Sequence, residues 1–299
     1  MNIFPIRYID PVYRPPSEAN SLILPVTDGC SWNRCTFCEM YKAPQKRFRA
    51  REEIEVIESI RRSAETFGHN NIKRVFLADG DAIVLPTRRL LVILEAIRTY
   101  LPSVTRISSY CLARNLSKKS VADLVRLREA GLQLAYLGAE SGDDLVLEYS
   151  KKGETYASTQ AALDKLGEAG ITRSVMLLNG LGGKTLSMQH TDNSARLINA
   201  TQPEYLATLV VSFPQGDTHF RTHFPDWQPL SQQELFIEME HFLSQLELTR
   251  TVFRSDHASN WLVLKGTLNR DKNTLLTQVR TAITTPTAIP LRPAWARGL

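Results

Sequence analysis

Short apolar runs alternate with amphipathic stretches along most of this 299-residue chain, and nearly every run ends in a polar or glycine-containing turn. Residues 21–27, 74–78, 104–110, 133–138, 172–178 and 205–211 read as strands. Between and after them, residues 51–67, 87–100, 118–130, 156–169, 187–200 and 231–246 carry helical spacing; Ile54, Ile57, Ile60 and Ala64 share one face of the first. Gly131 and Gly170 stand where helix C-caps belong, and Pro102 ends the second helix. Strict strand–helix alternation implies right-handed crossovers and a parallel sheet with helices outside. Six such pairs fit a doubly wound sheet or a partial β/α barrel. In either, ligands gather at the C-terminal ends of the strands.

The unusual residues fall at those ends. The first strand leads into CSWNRCTFC, the second into Asp79-Gly80-Asp81 and the third to Cys111. The fourth ends at Gly138-Ala139-Glu140-Ser141, the fifth at Asn179-Gly180-Leu181-Gly182-Gly183 and the sixth near Ser212-Phe213-Pro214-Gln215-Gly216. One rim therefore collects the chemistry.

Cys30, Cys35 and Cys38 lie within nine residues, and Cys111 is the one other cysteine of the chain. Three thiolates on one loop suit a metal centre that keeps a coordination position open. Thiolate softness suits an iron–sulfur cluster or zinc. Zinc normally completes four ligands locally; here the nearest histidine is His69, so zinc would need a distant partner such as Cys111 or His257. A third reading, three unconnected core cysteines, sits poorly with Trp32, Asn33 and Arg34 between them, which read as an exposed loop. The N-terminal stretch is broken by four prolines and carries early acids, unlike a signal peptide. The cysteines are thus expected to be ligands or thiols in a reducing cytoplasm. No run of 18 apolar residues occurs, so no membrane span is expected. The net charge of +5 is spread along the chain, and nothing in it demands nucleic acid. Lys42, Lys46, Arg47, Arg49 and Arg51 cluster after the cysteine loop and read as solvated surface, with contact to an anionic substrate or an acidic redox partner as the alternative.

The cysteine loop resembles the signature of the radical S-adenosylmethionine (radical SAM) superfamily, C-x3-C-x2-C with an aromatic residue before the last cysteine. Phe37 supplies the aromatic, and the spacing here is C-x4-C-x2-C. The resemblance extends over roughly residues 18–250. It implies a partial (β/α)6 TIM-like barrel and one 4Fe–4S cluster on Cys30, Cys35 and Cys38, whose open iron chelates S-adenosylmethionine. It further implies that the turn Ala78-Asp79-Gly80-Asp81 meets the methionine end, Glu140 and Ser141 the ribose, and Leu178, Gly180 and Leu181 the adenine. The implied chemistry is reductive cleavage to methionine and a 5′-deoxyadenosyl radical that abstracts hydrogen from a small-molecule or peptide substrate. A flavodoxin-like or ferredoxin-like donor and oxygen sensitivity follow from the low potentials such clusters reach. With Cys111 alone left over, a second cluster is not expected.

Around that core, residues 1–17 are expected to form an N-terminal arm and residues 251–299 a C-terminal extension with a helix near 271–284. Cys111 reads first as a buried structural thiol, with a hydrogen-donor or substrate-attachment role as the alternative. Arg254, His257 and Asn260 lie in a polar stretch after the last core helix, where substrate binding and loop capping compete. Tyr41 and Gln215 are further candidates. Two other functions stay open on the residues alone: an iron–sulfur electron-transfer or sensing protein on the same barrel without turnover, and a zinc-stabilised binding protein.

Overall fold

The computed structural model describes residues 4–298; residues 1–3 of the expected arm and residue 299 of the expected extension lie outside it. The strands are β1 (Leu22–Pro25), β2 (Thr27–Asp28), β3 (Arg49–Ala50), β4 (Arg74–Ala78), β5 (Arg106–Cys111), β6 (Leu132–Glu140), β7 (Thr172–Asn179), β8 (Tyr205–Val210), β9 (Thr251–Ser255) and β10 (Leu264–Leu268). The helices are α1 (Glu53–Phe67), α2 (Thr87–Tyr100), α3 (Ala113–Leu116), α4 (Val121–Glu129), α5 (Asp144–Tyr149), α6 (Tyr156–Glu168), α7 (Gly183–Thr201), α8 (Thr218–Arg221), α9 (Gln232–Gln245) and α10 (Lys272–Thr284).

Eight strands form one sheet in the order β1-β4-β5-β6-β7-β8-β9-β10. The pairs β1–β4, β4–β5, β5–β6, β7–β8 and β8–β9 are parallel, and β10 returns antiparallel to β9. Each strand lies beside the next of the series, with no reversal of order. A doubly wound sheet reverses at a switch point, so the order is that of a partial β/α barrel. All six expected strands belong to it. The register explains the continuous apolar runs: Val75, Phe76, Leu77 and Ala78 of β4 are fully buried, as strands covered on both faces must be.

Boundaries moved where local chemistry decides them. Helix α4 starts three residues later than expected because Ser120 and Asp123 form a capping box, and Ser231 with Glu234 caps α9 in the same way. The short helices α3, α5 and α8 were not expected; none is long enough to show a period. In the expected extension, β9 joins the sheet beside β8. By internal contacts the chain divides into two compact units, one of residues up to 33, 40–137 and 164–173, the other of 34–39, 138–163 and 174 onward.

In the first unit, a buried polar knot ties the chain before β1 to the sheet. Glu18 is fully buried and accepts hydrogen bonds from Tyr136 Oη at 2.6 Å, Arg106 Nη2 at 2.8 Å and Ser21 Oγ. Burial by itself would raise the Glu18 carboxyl, but the bonds from Ser21 and Tyr136 and the charge of Arg106 outweigh it and hold it below the ordinary 4.5. A carboxyl depressed on folding stabilises the fold above its unfolded value, and that contribution is lost as pH falls through the folded value. Glu18→Gln should therefore lower the urea midpoint at pH 7 by the equivalent of about 2–4 kcal/mol. The deficit should shrink as the pH falls below 4.5, which unfolding curves of both proteins across that range would measure.

Candidate cofactor site

The cysteine loop leaves the sheet through a narrow neck. β2 pairs antiparallel with β3, bringing Asp28 opposite Arg49. Asp28 also accepts two bonds from the buried Arg51, at 2.9 and 2.8 Å. Beyond the neck, Gly29 has φ +70°, and a Cβ there would stand 2.2 Å from the carbonyl oxygen of Lys46, so only glycine fits. Asp79, at the end of β4, gathers this region through one oxygen. Its Oδ2 accepts the Gly29 N–H at 3.1 Å and the Lys46 ammonium at 2.6 Å. Its own N–H donates to Thr27 Oγ1 at 3.2 Å, and the Gly80 N–H donates to Gly29 O at 3.1 Å. A Cβ on Gly80 would press on the Tyr41 ring at 2.8 Å and on Cys30 Cβ at 3.1 Å. Asp81 accepts from Ser31 Oγ at 2.5 Å and from Asn115. Burial pushes both carboxyls up, Asp81 to about 6, against the pull of these donors.

Lys46 and Arg51 are therefore not the solvated surface expected of the basic cluster. Lys46 is 1 % exposed and Arg51 7 %. Each is drawn inward by an aspartate far from it in sequence. Trp32 is covered by the Arg114 guanidinium at 3.6 Å from the ring centre.

In the second unit, the Thr36 N–H and hydroxyl both donate to Ser150 O, at 3.0 and 3.2 Å. Phe37 packs on an aromatic cluster of Val146, Leu181, Phe220, Phe224 and Trp227. Glu140 ends β6 with φ +64°, a left-handed conformation costly for a residue other than glycine, about 1–3 kcal/mol. It accepts the Lys152 ammonium at 2.9 Å, and a Cβ on Gly138 would lie 2.1 Å from its Oε1. Ser141 is fully buried; its Oγ lies 2.7 Å from His190 Nδ1 and accepts the Asp143 N–H at 2.9 Å. Burial pushes His190 down to about 4, so the ring is neutral at pH 7.

The turn after β7 is backed by three contacts. Trp227 Nε1 donates to Leu181 O at 3.0 Å, Lys184 N–H to Gln228 O at 3.0 Å, and Gly180 N–H to Glu238 Oε1 at 2.6 Å. A cavity of about 370 Å³ opens beside it, with Gly180, Val210, Val211, Phe213, Trp227 and Leu235 in its wall. That is within the usual ~300–1,000 Å³ of small-molecule sites. Leu178 is half-buried against the aromatic cluster, and Leu181 lies fully inside it.

The other candidates stand apart. Asn260 is buried: its Nδ2 donates to Thr208 O at 2.8 Å, and its Oδ1 accepts the Val210 N–H at 2.9 Å, completing the ladder of β8. His257 Nδ1 sits 3.0 Å from Ser259 Oγ, and exposed Arg254 donates to Phe253 O and Gly266 O. Cys111 is 2 % exposed at the end of β5, and the Gln215 N–H reaches Glu39 Oε1 at 3.3 Å. Sequence reasoning missed Lys152, Trp227 and Glu238. The spacing of Phe213, Phe220, Phe224 and Trp227 was a visible signal for the second; nothing local marks the other two.

All four cysteines carry thiols rather than disulfides, and the three of the loop are half-buried. Among the described residues no three histidine, cysteine or acidic side chains converge on one ion. A cluster does not ask for that, since its thiolates go to separate irons. Three soft thiolates on one loop are the kind of donor an iron–sulfur cluster takes.

The model of the Radical SAM superfamily matches residues 24–198. The chain belongs to that superfamily. That superfamily is one of S-adenosylmethionine enzymes, and a protein similar in fold was solved with a [4Fe–4S] cluster bound. This chain is 24% identical over 183 residues to the heme chaperone HemW of Bacillus subtilis (strain 168), a span of 59% of this chain and 47% of that protein. The chain therefore spans about half the length of that curated relative. Among solved structures it is similar in fold to the Escherichia coli coproporphyrinogen III oxidase HemN, a radical SAM enzyme (TM-score 0.53, 16% identity, 75% of this chain and 52% of that one). It is also similar to the methyltransferase TsrM of Kitasatospora setae with cobalamin and a [4Fe–4S] cluster bound (TM-score 0.51, 20% identity, 63% and 36%). No helix among the described residues is long and apolar enough to cross a membrane.

The clasp on Asp79 can be tested directly. Lys46→Met leaves the buried carboxylate without its cation and should cost about 3–5 kcal/mol in urea unfolding. The same variant should retain less iron per chain after reconstitution, measured by metal analysis.

Proposed function

We propose that Cys30, Cys35 and Cys38 hold a single 4Fe–4S cluster and that the chain is a radical-generating enzyme acting on a small-molecule or peptide substrate. When bound and reduced, the cluster with S-adenosylmethionine would supply a 5′-deoxyadenosyl radical able to take hydrogen from that substrate. The reading is carried by one observation: the matched span 24–198 contains the three half-buried thiols and every turn residue named for the cofactor.

The chain's own residues then bind and orient. Ala78, Asp79, Gly80 and Asp81 would meet the methionine end; the two carboxylates do so by holding the cysteine loop, while Gly80, lacking a side chain, leaves room beside Cys30. Glu140 would meet the ribose, aimed by its ion pair with Lys152. Ser141 would act behind it, since its hydroxyl already bridges His190 and the Asp143 N–H. Leu178, Gly180 and Leu181 would carry the adenine beside the 370 Å³ cavity, which Phe213 and Trp227 line in part. Cys111, Arg254 and His257 remain candidates for substrate contact, and Asn260 for supporting them. A flavodoxin-like or ferredoxin-like donor in a reducing cytoplasm would supply the electron.

Anaerobic reconstitution with iron and sulfide, followed by dithionite and S-adenosylmethionine, should yield methionine and 5′-deoxyadenosine. Cys30→Ala, Cys35→Ala and Cys38→Ala should each abolish that yield and the cluster's absorbance, whereas Cys111→Ala should keep the absorbance. A redox-active cluster whose EPR spectrum ignores S-adenosylmethionine would instead favour electron transfer without turnover.

A further inference from the structure

Glu238 is a buried carboxyl that none of the roles above uses. It projects from α9, is 2 % exposed, and accepts only from neutral donors in the bonds it makes: the Gly180 N–H at 2.6 Å and the Ser187 hydroxyl. Gly180 takes φ +80°, and a Cβ on it would stand 3.0 Å from Leu235 Cδ2, so the turn is shaped closely against α9. Ser187 lies in the first turns of α7, which begins where the Gly180 turn ends. One carboxyl therefore ties both sides of the same turn to a third element. A buried acid without a cation is an expensive way to hold a helix, and a packed aliphatic side chain would serve a purely structural need as well.

We propose that Glu238 is a positioning residue for the S-adenosyl group, fixing the Gly180 N–H and the turn Asn179–Gly183 so that the cavity-facing side of that turn is set before ligand arrives. This rests on the reading that the turn receives the adenine. Gly180 lines the cavity on one side and donates its N–H to Glu238 on the other. The tie is thus next to the ligand without touching it.

The tie is sensitive to protonation. Burial pushes the Glu238 carboxyl up to about 7, against the bonds from Ser187 and Gly180. The charges on the packed elements are engaged elsewhere: Lys184 and Asp192 of α7 pair with Glu234 and His241 of α9, Arg196 of α7 lies over Tyr156, Lys272 of α10 caps α9 carbonyls, and Arg280 of α10 holds Glu240. His190, which lines a small cavity with Glu238, is itself pushed down to about 4 and stays neutral. A carboxyl raised on folding stabilises the fold while protonated, and that contribution is lost as pH rises through the folded value. The packing that shapes the turn therefore weakens above pH 7.

The test is equilibrium binding of S-adenosylhomocysteine, followed by calorimetry on the anaerobically prepared 299-residue protein from pH 6 to 8.5. Wild type should lose affinity by roughly tenfold per pH unit above 7 at most. Glu238→Gln keeps an acceptor for Gly180 and a donor for Ser187. It should bind as wild type does at pH 6 and show no such fall. Glu238→Leu should bind about tenfold more weakly at every pH, the loss of one well-placed bond to the turn. A Glu238→Gln profile that falls in parallel with wild type would overturn the inference even if Glu238→Leu fails to fold. No binding by wild type at any pH would overturn the reading of the turn itself, and the inference with it.

Discussion

Asp79 Oδ2 accepts a backbone N–H from Gly29 and the ammonium of Lys46 at once, and the neighbouring Gly80 returns a bond to Gly29. These contacts join the end of β4 to both limbs of the loop that carries the cysteines. An aspartate and a lysine buried this fully are stable only together. Their pairing decides the path of Gly29–Cys30 on one limb and of residues 44–46 on the other. The close approach then dictates the glycines: Gly29 because Lys46 O fills the space of a Cβ, Gly80 because Tyr41 and Cys30 do.

The second unit solves the same problem with aromatic packing. Phe37 is held by a cluster drawn from α5, the β7 turn and the excursion between β8 and α9. Trp227 belongs to that cluster, donates to the turn and lines the cavity. Side chains that position the cysteine loop and side chains that shape the cavity are therefore partly the same. The strained backbone at Glu140 fits this economy of parts: its carboxylate is fixed by Lys152 and by the absence of a side chain on Gly138. Strain of this kind persists where surrounding contacts over-determine it, as at ligand sites.

How much of this was legible depends on range. Strands such as residues 74–78 were readable because burial on both faces leaves only apolar residues. The turns at their ends were readable because polar and glycine residues interrupt that rule. The burial of Lys46 was not, since KAPQKRFRAR is a charged surface by composition and its partner lies beyond α1. The hydroxyl of Ser141 could not be aimed from sequence either; its partner His190 is on α7. Asn260, which reads as a substrate ligand or a cap, turned out to complete the ladder of β8 because that strand ends where the ladder partner runs out. Glu238 gave no sign at all, sitting in a helix where a glutamate is ordinary.

The sequence by itself determined the class of fold, the polar and glycine turns at the strand ends and the three thiols, because each rests on periodicity or on spacing within a few residues. The tertiary structure alone decided between a doubly wound sheet and a partial barrel, since strand order is set by which neighbours pair. It also decided which charged residues face solvent and which are locked inside. Those outcomes turn on partners tens of residues apart, where the free energy of a buried pair is won or lost, and no local pattern encodes them.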